Sequence, residues 1–419
     1  MSTATSTAQR PATPVASPGV GEHLRNYFSR VRGGDLGALP AILGLVVLCT
    51  VFSIVRPNFL TAGNFANLFI QGGAVALIAM GLIFVLLLGE IDLSAGFASG
   101  VCAAILAVVS TEMGLPWYVA VLAAVATGTL IGTVLGVLVA KVGIPSFVVT
   151  LAAFLAFQGT VLLLIDGGRN VSIRDNVLIA IVNRNVPPVI GWAIFGVGVA
   201  GFAAIQLLRY RSRSAKGLVT DPMVVVLARI GVLVAVAGSA VYILNQERAV
   251  NPLFASLRGV PIVVPIIVVL LIFWTFVLKR TAYGRHIYAV GGNREAARRA
   301  GINVDRIRIS AFMICSSMAA VGGIVAASRA NSVDANTGGS NVLLFAVGAA
   351  VIGGTSLFGG KGRVLDAVLG GAVVAVIENG MGLLNVESGV KFVFTGLVLL
   401  LAASVDALSR RRAAAAGSR

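Results

Sequence analysis

KRTAYGRHIYAVGGNREAARRAGINVDRIR, residues Lys279 to Arg308, is the longest polar break in a very apolar chain. Apolar runs end just before it, at Trp274–Leu278, and resume just after it, at Ile309–Met318. The break is basic: Lys279, Arg280, Arg285, Arg294, Arg298, Arg299, Arg306 and Arg308 all lie inside it. Its centre, residues 293–300, reads as a short helix. Asn293 is an N-cap, Glu295 sits at the positive end of the helix dipole, Arg298 and Arg299 sit at the negative end, and Gly301 is the stop. A capped, dipole-matched helix between two apolar runs is a small rigid knob, a shape suited to docking on another protein. The competing reading is a basic loop that only fixes membrane orientation.

The composition of the whole chain points to a membrane setting. It has 419 residues, of which 58% are hydrophobic and only 11% charged, with a mean hydropathy of +0.96. Soluble domains carry about 25% charged residues. The net charge of +16 lies in loops between apolar runs, where membrane orientation and anionic lipid account for it and nucleic acid does not. Cys49, Cys102 and Cys315 fall inside apolar runs, with no metal-ligand spacing and no disulfide framework. No soluble catalytic domain is present in the sequence.

Runs long enough to cross a bilayer fall near 38–55, 70–89, 94–111, 117–139, 145–165, 189–208, 223–244, 260–278, 309–328, 342–360, 364–382 and 390–407. The expectation is an all-α polytopic membrane protein with about twelve spans and both termini cytoplasmic. The dense basic loops 209–222 and 279–308 then share the cytoplasmic face, and dropping one span would separate them. Residues 1–37 read as a disordered basic cytoplasmic tail, 38–408 as the membrane domain and 409–419 as a second basic tail. No cleavable signal is expected at the N-terminus. The glycine-rich GGTSLFGGKG within 342–363 predicts a broken or re-entrant helix, buried in protein or lining water. Gly128, Gly132 and Gly136 form a row that favours close helix contact.

Several motifs dissolve on inspection. Gly196, Gly198 and Gly201 spell a dinucleotide-type pattern, but inside an apolar span rather than after a strand. The stretch Gly354–Lys361 is one residue too long for a phosphate loop, and Gly362 stands where Ser or Thr is needed. The chain therefore carries no ATP site. Glu90-Ile-Asp92-Leu-Ser94 places two carboxylates at a membrane face. Either Asp92 or Ser94 simply caps the next span, or the turn gates an exit or meets a partner. Polar residues inside spans are costly and mark pathways. They include Gln158, Arg229, Asp366, Glu378 and Asn379, with Thr355 and Ser356. Helix–helix hydrogen bonds would use the same groups. Arg229 is expected to snorkel, and Asp366 to pair with Lys361 or Arg363.

The loop pattern T-x-x-G-R-x-x-Y-A-V-G-G-N-x-E-A-A-R-x-A-G-I, running from Thr281 to Ile302, resembles the cytoplasmic loop of permeases of ABC-type monosaccharide importers, the ribose/xylose group. Further matches follow in family order: Glu90-Ile-Asp-Leu-Ser94-Ala-Gly96, Gly143-Ile-Pro-Ser-Phe-Val-Val-Thr-Leu151, Ala350-Val-Ile-Gly-Gly-Thr-Ser-Leu357 with Gly359 and Gly360, and Glu378-Asn379-Gly380. Two departures stand out. Ser340–Leu344 lacks an acid that many relatives carry there, and residues 166–260 are longer than in ribose-type permeases, as in the xylose-type branch.

The resemblance implies a permease of the bacterial cytoplasmic membrane, importing a pentose-like monosaccharide without covalent catalysis. It implies a second permease copy, an ATPase subunit that holds ATP and Mg, and an extracytoplasmic sugar-binding protein, periplasmic or lipid-anchored. The chain itself is expected to bind no cofactor and no metal. The ATPase-coupling residues implied are Gly284, Asn293, Glu295, Ala296, Ala297, Arg298 and Gly301. Glu90, Asp92 and Ser94 are the candidate cytoplasmic gate, and Gln158, Thr355, Ser356 and Asn379 the candidate pathway. The alternative is a secondary transporter driven by an ion gradient, for which Glu378 is the candidate acid. A membrane-embedded enzyme lacks a His or Cys cluster, since the histidines are His23 and His286.

Overall fold

In the computed structural model the apolar runs of the sequence fold as helices wherever their backbone has no water to bond, as the bilayer requires. The structure describes residues 37–249 and 256–417, with Gly21, Arg25 and Ser29. The rest of the expected N-terminal tail lies outside the described residues. In chain order the helices are α1 (Leu39–Val55), α2 (Ala62–Leu87), α3 (Ala95–Glu112), α4 (Trp117–Val142), α5 (Ser146–Leu164), α6 (Asn176–Asn183), α7 (Pro188–Ala215), α8 (Met223–Leu244) and α9 (Val263–Arg280). There follow α10 (Ala282–Gly292), α11 (Arg294–Arg299), α12 (Val304–Ala330), α13 (Ser340–Ile352), α14 (Val364–Leu383) and α15 (Ser388–Gly417). Among the described residues, nine helices are long and apolar enough to cross a membrane, and α1, α13 and the apolar part of α15 are shorter apolar helices. Each run read from the sequence is matched by one of these. The helix α15 continues to Gly417, through most of what the sequence marked as a separate basic tail.

Two compact units divide the described chain, one of residues 37–187 with 244–249 and 256–417, the other of residues 188–243 with Gly21, Arg25 and Ser29. In the larger unit α2 is central: its apolar window is 83% buried, against 22% for α5. Leu77, Ile83, Phe84 and Leu87 of α2, with Phe312 and Met318 of α12, anchor the core. The two helices run antiparallel, because Gly81 of α2 lies on Cys315 and Met318 while Gly73 lies beside Val325. The glycine row on α4 is used as expected. A Cβ at Gly128 would come within 2.6 Å of the Ser316 carbonyl oxygen, and one at Gly136 within 2.8 Å of the Ile309 Cα. Only a helix face without side chains lets α4 and α12 approach so closely.

In the smaller unit α7 and α8 are almost bare, with 6% of each apolar window buried. Within it Arg229 pairs with Asp221 at 2.8 Å rather than snorkelling alone.

Two short antiparallel ladders tie connections down. Strand β1 (Val171–Ser172) pairs with β4 (Ser332–Val333), and β2 (Asn185–Val186) with β3 (Val260–Pro261).

Candidate functional site

The break at 279–308 folds from local signals. Thr281 caps α10, its hydroxyl accepting from the Gly284 N–H at 3.2 Å. Asn293 caps α11, its Oδ1 accepting from the Ala296 N–H at 2.9 Å. At the other end of α11 the Ile302 N–H donates to the Ala297 carbonyl and the Gly301 N–H to the Arg298 carbonyl, both at 3.0 Å. Gly301 has φ +82°, a left-handed stop of the Schellman type. Cap, helix and stop are thus where the sequence placed them. The preceding helix α10 was not anticipated, because two glycines at its end hide its periodicity. Burial pushes the Tyr283 hydroxyl up to about 12, so it stays protonated beside Ser310.

Ala297 belongs to the protein's own core, being 4% exposed, whereas Ala296 faces out. A docking surface on α11 is therefore offered by Glu295, Ala296, Arg298 and Arg299, with Glu295 and Arg298 paired at 3.0 Å. Gly284 sits directly on the Leu278 backbone and closes the bend between α9 and α10, inside the fold rather than on the exposed face.

What fastens α11 to the bundle is Glu90. Its Oε1 accepts from Arg294 Nη2 at 2.7 Å, and from Arg308 Nε and Nη2 at 3.0 and 2.7 Å. Glu90 is 7% exposed, Arg308 14% and Arg294 42%. Arg294 also donates to the Leu88 carbonyl at 3.2 Å. The glycine-rich loop 353–363 joins the same junction: the Gly360 N–H donates to the Leu87 carbonyl at 2.8 Å, and the Tyr288 hydroxyl to the Gly362 carbonyl at 2.7 Å. The end of α2, the α10–α11 loop and the loop 353–363 thus form one hydrogen-bonded junction, here termed the loop end of the bundle.

From Glu90 the chain does not stay at that end. Ile91 donates to the Ser146 hydroxyl at 3.4 Å, and the Thr150 hydroxyl donates to the Ile91 carbonyl at 3.3 Å. Asp92 is fully buried. Its Oδ1 accepts from the Ser94 N–H at 2.9 Å and hydroxyl at 2.6 Å. The Cys315 thiol faces this carboxylate. Cys315 lies about 17 Å along α12 from its first residue, so α3 begins well inside the bundle. A second such start faces it. After β4 the chain turns back, held by Asp334 Oδ1 on the Asn336 N–H (3.0 Å) and the Thr337 hydroxyl (2.9 Å). Gly338 then meets Gly96: a Cβ on Gly96 would lie 2.8 Å from the Gly338 carbonyl oxygen. Thus α3 and α13 both start mid-bundle and run to opposite ends. The break expected near 342–363 is present as the irregular loop 353–363. The dip of 331–339 is an additional one, which the polar composition of that stretch disguised as an ordinary outer loop.

The four candidate pathway residues do not converge. Thr355 and Ser356 are buried in the loop 353–363, where the Thr355 hydroxyl donates to Asp366 Oδ2 at 3.3 Å. Arg363 grips the other oxygen of Asp366 at 2.8 and 3.0 Å, the pairing expected from the sequence. Asn379 is buried on α14, its Oδ1 having no hydrogen-bond partner among the described residues, and Gln158 lies on the exposed side of α5. Among the described residues no cluster of His, Cys, Asp and Glu has metal-binding geometry.

Interrupted helices meeting inside a helical, multi-pass bundle are the architecture of a membrane transport protein, in which irregular backbone is sheltered where a route passes. The chain belongs to the family described as the branched-chain amino acid transport system / permease component, which matches residues 64–403. It is 33% identical over 386 residues to the xylose transport system permease protein XylH of Escherichia coli, covering 92% of this chain and 95% of that one. The Haemophilus influenzae XylH is 31% identical, over 91% of this chain and 99% of its own. The ribose import permease protein RbsC of Escherichia coli is 30% identical, over 91% and 96%. No solved structure matches the chain. The protein is accordingly a multi-pass inner-membrane permease whose relatives are transport proteins rather than enzymes.

Proposed function

We propose that this chain is the membrane-spanning subunit of an ATP-driven ABC importer for a pentose such as xylose or ribose. Relatives along nearly the whole chain, named for xylose and ribose transport, support the substrate class. In this reading ATP and Mg belong to a separate ATPase that docks on α11 at the cytoplasmic face. A binding protein delivers sugar at the far end, and a second copy of the permease completes the pathway. The observation that carries the coupling is the Arg294–Glu90 contact, because it ties the exposed short helix to the segment that leads to the start of α3. A displacement of α11 by the ATPase is then transmitted to the segment 90–94 and to α12 through Arg308. The two arrangements of that junction differ in access rather than in fold, and ATP shifts their populations. The wet lumen of such a pathway needs hydrogen-bonding groups for a neutral sugar.

A gradient-driven carrier is the second reading, and the fully buried carboxyl of Asp92 in mid-bundle is the observation in its favour. One experiment separates the two. Vesicles holding the permease, the ATPase and the sugar-bound binding protein are given either ATP or an imposed ion gradient. Sugar uptake with ATP alone is the expected result; uptake driven by the gradient without ATP overturns it.

A further inference from the structure

The helices α13 and α14 run antiparallel, Gly353 lying on Asp366 and Gly370 on Ala349, a register that brings Asn341 opposite Glu378. Glu378 stands about 21 Å along α14, a helix about 30 Å long, so it lies in the third farthest from the loop end. There α15 comes alongside, and the three helices line an open-sided cleft of about 240 Å³ onto which Glu378 is exposed. Its walls include Asn341, Phe345, Glu378, Lys391, Phe392 and Thr395.

Among the described residues Glu378 has no hydrogen bond and no ion pair within 4 Å, although the charges of Lys391 and Arg329 act on it. A carboxylate and an ammonium that share a cleft inside two spans, yet do not close on each other, need water between them. Hydrocarbon would solvate neither. The contents match one small polyol. Glu378 offers two acceptor oxygens, the fork that suits neighbouring hydroxyls, and Lys391 and Asn341 offer donors. Thr395 already donates to the Lys391 carbonyl at 2.8 Å, which leaves its hydroxyl oxygen free to accept. The rings of Phe345 and Phe392 provide apolar surface for the C–H face of a sugar ring. One negative and one positive wall group give no net pull on an ion. At about 240 Å³ the cleft has room for a single pentose.

We propose that this cleft is a monosaccharide subsite at the far mouth of the permease, with Glu378 its principal hydroxyl acceptor and Asn341, Lys391 and Thr395 its supporting groups. It rests on the reading of the chain as a pentose importer. A lipid tail is disfavoured by the charged wall, and a second copy of the chain is the occupant the test must distinguish.

The test uses the permease reconstituted with its ATPase and binding protein. Thr395→Cys is introduced with Cys49→Ser, since Cys102 and Cys315 are buried and Cys49 is not. A small water-soluble thiol reagent should modify the new thiol, and xylose or ribose should slow the reaction several-fold while maltose does not. Adding Glu378→Gln should raise the sugar concentration needed for half-protection several-fold. Three results would overturn the subsite: no modification, modification at a rate indifferent to pentose, or a spontaneous disulfide between two copies at this position. Absence of ATP-driven pentose uptake by the unaltered complex would instead overturn the parent reading, and the subsite with it.

Discussion

Arg294→Ala separates signalling from stability at the junction of α2 and α11. Arg294 is 42% exposed, and the carboxylate it leaves behind keeps Arg308, which is only 14% exposed. Its loss therefore costs what a half-exposed ion pair costs, about 0.5–1 kcal/mol. Arg308→Ala is different, because removing one partner of a buried pair costs about 3–5 kcal/mol, reduced here to about 2–3 by the Arg294 that remains. Glu90→Ala strands both guanidinium groups and should be the worst of the three. Unfolding in mixed micelles would rank the variants. A Glu90/Arg308 double-mutant cycle should give a coupling of about 1–3 kcal/mol, the scale for groups in one network. Transport per ATP hydrolysed, measured in proteoliposomes, should follow another order: Arg294→Ala, nearly silent in stability, should lose most of its coupling. If Arg294→Ala keeps wild-type transport per ATP, the tether does not transmit. If it destabilises as much as Arg308→Ala, the exposure argument is wrong.

Three further outcomes are expected. Reporter fusions at Arg213 and Arg294 should both lie in the cytoplasm and one at Arg174 outside; opposite sides for the first two would remove the twelve-span arrangement. Gly301→Val forces a β-branched residue to φ +82°, at a cost of about 1–2 kcal/mol or more. The permease should still insert but retain its ATPase poorly, and normal co-purification would return the loop to a topology anchor. Asn379→Leu removes a buried oxygen that has no partner among the described residues, so stability in the same micelles should hold or rise. Sugar flux should nevertheless fall, and unchanged flux would make Asn379 a packing residue.

Much of this protein follows from local rules that the sequence states outright. A run of apolar residues must become a helix in lipid, so the number and places of the apolar helices could be read from hydropathy. The α11 cap and stop were equally legible, because Asn293 and Gly301 act on backbone groups a few residues away. So was the Arg363–Asp366 pair, three residues apart in one turn. The α4 glycine row gave away a close contact, though not its partner α12.

Contacts between residues far apart along the chain follow no local rule and are set by packing. Glu90 and Arg294 are separated by 204 residues, and no local pattern distinguishes their bond from two solvated charges. Ala296 and Ala297 look alike in the sequence, but packing into the core buries Ala297 and leaves Ala296 out. The inward dip at 331–339 is polar, as an exposed loop would be. Its depth depends on Gly96 of another helix leaving room for Gly338. Glu378 and Asn341 face one cleft because two helices pack antiparallel in one register. Hydropathy records how well each residue suits lipid, whereas these features depend on which distant group lies opposite.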